Sequence, residues 1–80
     1  MILTDGAHLV ATESEEELHC FARRLGFKAS WYQAHGRHPH YDLTTGRAAA
    51  RAIRAGAKLV SRDVLVRSAW WQQRKRWSGG

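Results

Sequence analysis

Cysteine, proline and acidic residues are all scarce in this 80-residue chain, and each scarcity excludes something. Cys20 stands alone, so no internal disulfide framework forms, which suits a reducing cytoplasm. On a helix, a lone cysteine reads as a small buried hydrophobe with a structural role. Pro39 is the single proline, and it falls in one loop-like stretch, Ala34-His-Gly-Arg-His-Pro39. No run approaches the roughly 20 apolar residues of a membrane-spanning helix. The N-terminus carries no charged segment followed by an apolar one, so no secretory leader is expected. There is no serine or cysteine nucleophile motif, no phosphate-cradling glycine loop, no catalytic glutamate pair and no internal repeat.

What is present is basic. Seven acids face 13 lysines and arginines, a net charge of +6. Glu13, Glu15, Glu16 and Glu17 cluster at one place, and beyond Leu18 only Asp42 and Asp63 offset the cations. That asymmetry favours polyanionic partners, either nucleic acid or an acidic protein surface. At this length one small domain is expected, with a thin core that a homodimer contact or a bound partner could extend.

Read in order, Ile2-Leu3 and His8-Leu-Val-Ala11 are extended apolar pieces separated by an Asp5-Gly6 turn. Thr12-Glu-Ser-Glu-Glu-Glu17 holds two overlapping capping boxes, with acids placed at the positive end of the helix dipole. Leu18, Phe21, Ala22 and Leu25 then form one apolar helix face, closed by Gly26. Phe27 to Gln33 begins extended, and His40-Tyr-Asp-Leu43 reads as a second strand. Thr44 or Thr45 caps a helix running to about Ala55, with Ile53 as its bulky anchor and Gly56 as its stop. Lys58 to Ser61 supplies a third strand, and Ser61 caps a last helix with Val64, Leu65, Val66 and Ala69 as its apolar contacts. Strand-helix-strand-helix-strand-helix order predicts a small two-layer α/β domain over residues 1–69, with a basic, tryptophan-rich extension at 70–80.

Several segments together resemble a family of short, uncharacterised bacterial and phage proteins classed as a domain of unknown function. They are Thr4-Asp-Gly-Ala-His-Leu-Val10, Glu16-Glu-Leu-His19, Phe21-Ala22, Leu25-Gly26, Trp31-Tyr-Gln33, His38-Pro-His-Tyr-Asp-Leu43, Ala55-Gly-Ala57 and Val60-Ser61. The shared part spans about residues 3 to 67. The resemblance implies a compact cytoplasmic domain, often phage-encoded, and carries no established activity.

The densest chemistry lies between Trp31 and Leu43, where histidines, tyrosines, a glutamine and an aspartate crowd together. Alternation along a strand puts His38, His40 and Asp42 on one face, two imidazoles and a carboxylate able to hold a divalent metal, with His35 as a fourth donor. Without a metal, Asp42 could fix the tautomer of His40 for proton transfer in phosphodiester cleavage. A purely structural loop, with Trp31 and Tyr41 buried and Asp42 capping backbone, competes with both. Cations and flat rings give a further reading. Arg47, Arg51 and Arg54 stripe one helix, and Trp71, Arg74, Arg76 and Trp77 crowd the end of the chain. A helix-turn-helix over residues 47 to 69 is rejected, because Lys58-Leu-Val60 fills the turn with strand-like residues. The sequence thus favours a non-enzymatic module without a cofactor, gripping nucleic acid or a nucleic-acid-associated protein through Trp31, Gln33, His38, Tyr41 and these arginines and tryptophans. A metal- or histidine-based phosphodiester hydrolase is the first alternative, with His40 and Asp42 catalytic. A phage inhibitor of a host protein is the second, since tryptophan and arginine anchor protein interfaces.

Overall fold

Asp5-Gly6 turns the chain between β1 (Ile2–Thr4) and β2 (His8–Ala11), which pair antiparallel with Leu3 opposite Val10. Gly6 sits at φ 97°, a backbone region that side chains rarely enter. The fully buried Thr4 hydroxyl donates to the His8 carbonyl at 2.8 Å and accepts the Gly6 N–H at 3.0 Å, so the loop satisfies its own backbone. The computed structural model describes residues 1–34 and 38–72.

Ser14 caps α1 (Glu15–Arg24) by accepting the Glu17 N–H at 3.1 Å, so the second of the two overlapping boxes is the one used. Leu18, Phe21 and Ala22 are the face it buries. A 3-10 turn at Ala29–Trp31 follows where an extended start was expected, and leads into β3 (Tyr32–Gln33). β4 (His40–Asp42) comes next, then α2 (Gly46–Arg54) capped by Thr45, β5 (Lys58–Leu59) and α3 (Arg62–Ser68) capped by Ser61. The five strands form one sheet in the order β3-β4-β2-β1-β5, antiparallel except for the β1–β5 pair. β4 and β5 therefore run the same way, and α2 is the crossover that such a connection needs.

The α/β domain expected from the sequence forms, with helices on both faces of its sheet rather than one. Leu9, Val10 and Ala11 are all 0% exposed, a continuous buried run that requires cover on both sides. Leu9 and Tyr41 are cross-strand partners on the side where the Tyr41 ring meets His19 of α1. Val10 and His8 face the other way, toward Leu65 and Val66 of α3. Three local expectations also change. Cys20 is exposed, because it lies off the Leu18–Phe21–Ala22 face. Ile53 is 41% exposed, and Ala48, Ala49 and Ala52 make the buried contact of α2 instead, small side chains allowing close approach. Val64 also stays exposed, and Leu65 is the buried anchor of α3. Two of the tryptophans expected in the extension join the domain: Trp70 is buried, and Trp71 packs partly against the core.

Candidate metal centre

Pairing of β2 with β4 sets His8 opposite Asp42. Two-residue alternation then puts His40 on the same face. One ligand atom from each of His8, His40 and Asp42 lies within 4.8 Å of the others, and all three residues are half-buried. Two ligands about 2.1 Å from a tetrahedral ion stand about 3.4 Å apart, so a pair at the 4.8 Å limit would close by about 1.4 Å on binding.

Both rings have their tautomers fixed from behind. His8 Nδ1 lies 3.0 Å from Asp5 Oδ2 and 3.3 Å from Asp5 Oδ1. His40 Nδ1 lies 2.6 Å from the His38 carbonyl. A carboxylate and a carbonyl only accept, so each Nδ1 carries the proton. A neutral imidazole has a single N–H, so in that tautomer Nε2 is a bare lone pair. Yet His40 Nε2 faces Asp42 Oδ1 at 3.0 Å. Two acceptors at that distance repel unless something positive lies between them, either a second proton on His40 or a cation. The His8 and His40 rings meet edge-on with centroids 5.0 Å apart. A carboxylate or carbonyl behind each metal-binding histidine is how proteins orient such ligands.

The hairpin loop builds the support for His8. Asp5 Oδ1 accepts the backbone N–H groups of Ala7 at 2.9 Å and His8 at 2.8 Å while the carboxylate holds the His8 ring. Partial burial pushes the Asp5 carboxyl up, but the hydrogen bonds from the His8 ring and the two amides prevail and hold it below its ordinary value of 3.8. A depressed folded-state value means stability that is present above the unfolded value and lost as pH falls through the folded one. Asp5→Asn should therefore melt lower than the parent near neutral pH. The gap should close below about pH 4 as the unfolded carboxyl takes up its proton. Thermal melts of both proteins across pH 2–7 check this, and a gap that persists unchanged at the acid end refutes it.

On its open side the cluster borders a cavity of about 110 Å³, with Val10, Leu65 and Val66 as an apolar wall and Arg62 and Trp71 also lining it. His38, read from the sequence as a ligand, lies outside β4, which begins only at His40 after Pro39. Its exposed ring packs 4.6 Å from Trp71, and its contribution to the cluster is the carbonyl behind His40. The Trp71 indole N–H donates to the Pro39 carbonyl at 3.1 Å. His8, which the sequence reading passed over as a strand residue, takes the place given to His38. Its signal was the pairing of His8-Leu-Val-Ala11 with His40-Tyr-Asp42, which alternation within one strand does not reveal.

The remaining expected site residues are scattered. Tyr41 is buried on the opposite face, its hydroxyl 2.7 Å from His19 Nδ1. Trp31 packs on Phe27, and Gln33 pairs with His40 across β3 and β4. Arg51 donates to the Leu25 carbonyl at 2.6 Å and lies over the Phe27 ring, and like Arg47 and Arg54 it remains exposed. His35, Arg74, Arg76 and Trp77 lie outside the described residues. No helix among the described residues is long and apolar enough to cross a membrane.

No curated protein and no solved structure matches the chain. The family model described as "Protein of unknown function (DUF4031)" matches residues 4–75, nearly the whole length, and the protein belongs to that family.

Proposed function

We propose that the protein is a divalent-metal-dependent phosphodiester hydrolase acting on nucleic acid, with His8, His40 and Asp42 as the metal ligands. The observation that carries the proposal is the convergence of His8, His40 and Asp42, with His40 Nε2 3.0 Å from a carboxylate oxygen beside a second imidazole held from behind in the same way. Two imidazoles and one carboxylate suit zinc, manganese or ferrous iron better than magnesium or calcium, which prefer all-oxygen sites. Three protein ligands leave coordination positions open toward the cavity. His8, His40 and Asp42 would hold the ion, which would supply Lewis acidity toward a phosphoryl oxygen and a water. In the net hydrolysis the water oxygen bonds to phosphorus, the ester P–O bond breaks, and a proton from that water ends on the leaving oxygen. Arg62 on the cavity wall, within a chain of net charge +6, draws the phosphate in.

The test begins with chelator-stripped, untagged protein titrated with zinc and with manganese by calorimetry. One ion per chain is expected. The loaded protein is then given fluorescent single-stranded and duplex oligonucleotides. Absence of stoichiometric binding by either ion ends the metal reading. Binding without cleavage removes the hydrolase and leaves a metal that organises the fold.

A further inference from the structure

The sheet face opposite the metal cluster carries a second cavity, of about 310 Å³, between α1, the 3-10 turn and the β3–β4 edge. His19, Phe27, Tyr32 and Tyr41 line it with rings, and Arg23 brings the cation. The polar groups of the rings are already engaged with one another. Tyr41 Oη is 2.7 Å from His19 Nδ1, the other nitrogen of His19 faces Glu15 at 3.8 Å, and the Tyr32 hydroxyl donates to the same carboxylate. Burial of both phenols, with the Glu15 charge nearby, raises them above the usual tyrosine range, so they remain protonated donors within this chain. The cavity therefore offers a ligand two things: aromatic surface and an exposed guanidinium. Arg23 has no carboxylate partner within salt-bridge distance among the described residues.

We infer that this cavity binds one nucleotide unit, its base against the half-buried ring of Tyr32 and its phosphate on Arg23. Base–aromatic stacking tolerates any base, and guanidinium–phosphate pairing is directional and charge-assisted. A cavity near the lower end of ligand-pocket sizes, roughly 300–1,000 Å³, fits one flat ring system with its phosphate and excludes a duplex. Glu15, at the far end of the ring cluster, repels a second phosphate and so fixes the direction of entry. The site is independent of the metal reading and holds whether or not His8, His40 and Asp42 take an ion. A free mononucleotide and one unit of a single strand present the same chemistry.

Isotope-labelled full-length protein, free of metal, is titrated by NMR with adenosine 5′-monophosphate, with adenosine, with inorganic phosphate and with a short single-stranded oligonucleotide. The nucleotide should shift the Ala29 methyl and the Tyr32 ring signals. Adenosine should bind about tenfold or more weakly for want of the phosphate contact. Arg23→Gln, at an exposed helix position, should impose the same loss while leaving the melting temperature and the metal titration unchanged. Saturation by the monophosphate identifies a free-nucleotide site; saturation by the oligonucleotide alone identifies a strand-binding one. Ala29 and Tyr32 signals that stay still with both, phosphate that binds as tightly as the nucleotide, or an Arg23→Gln protein that binds like the parent, each overturns the inference.

Discussion

His8→Ala should weaken zinc or manganese binding by at least about a hundredfold, whereas His38→Ala should change it by no more than a few-fold. The two variants separate the ligand set that strand alternation suggests from the one that sheet pairing assembles. His8 faces Asp42 across β2 and β4, and its Nδ1 is held by Asp5. Truncating it removes a donor and leaves the Asp5 carboxylate without its ring. His38 supplies a backbone carbonyl to His40, which survives substitution, while its ring rests on Trp71 at the cavity wall, outside the three converging ligand atoms. Calorimetric titration of parent, His8→Ala, His38→Ala and Asp42→Asn measures this directly, with circular dichroism to confirm that each variant is folded. Equal losses for His8 and His38 would show that the loop closes over the ion and that the described geometry is not the metal-bound one. No loss for His8→Ala would mean that any bound ion sits elsewhere.

The contrast between those two histidines marks how far the sequence could be read. Local chemistry was legible: Ser14, Thr45 and Ser61 cap the three helices, and Gly26 and Gly56 follow α1 and α2 in positive φ, all from signals within a few residues. The site was half legible. His40 and Asp42 are two apart on one strand, so one periodicity finds them. His8 lies more than 30 residues away and reaches them only through strand pairing, and no local pattern encodes which strands will pair. The same limit hid the β1–β5 pairing and the placement of α3 on the second face. Arg51 on α2 shows a related limit, although all three arginines of the stripe are exposed. Helical spacing puts Arg47, Arg51 and Arg54 near one another, but the end of α1 comes close enough for Arg51 to bond the Leu25 carbonyl. Trp70 and Trp71 looked like an extension because composition changes there, although burial continues through both.

Leu9→Ala should lower the melting temperature by roughly 10 °C or more, from a loss of about 2–5 kcal/mol out of the roughly 4–12 kcal/mol that a domain of this size holds. Leu9 is fully buried on the central strand, with Thr4 and Tyr41 as its cross-strand partners, and few neighbours can collapse into the space it leaves. The cavity opens next to the metal cluster in sequence but on the other side of the sheet, because His8 and Leu9 point oppositely. An ion that binds only the folded protein at about a hundred times its dissociation constant adds about 2.7 kcal/mol. If β2 keeps its register against β4 in the variant, zinc should add the same increment to Leu9→Ala as to the parent, and the two free-energy changes should sum. Melts of both proteins with and without zinc give the four values needed. A much smaller gain in the variant would mean that the cavity lets β2 slide against β4 and draws His8 off Asp42, making core packing on one face the condition for ligand geometry on the other. A gain absent from both proteins would leave the stability effect intact and remove the ion from the account of the site.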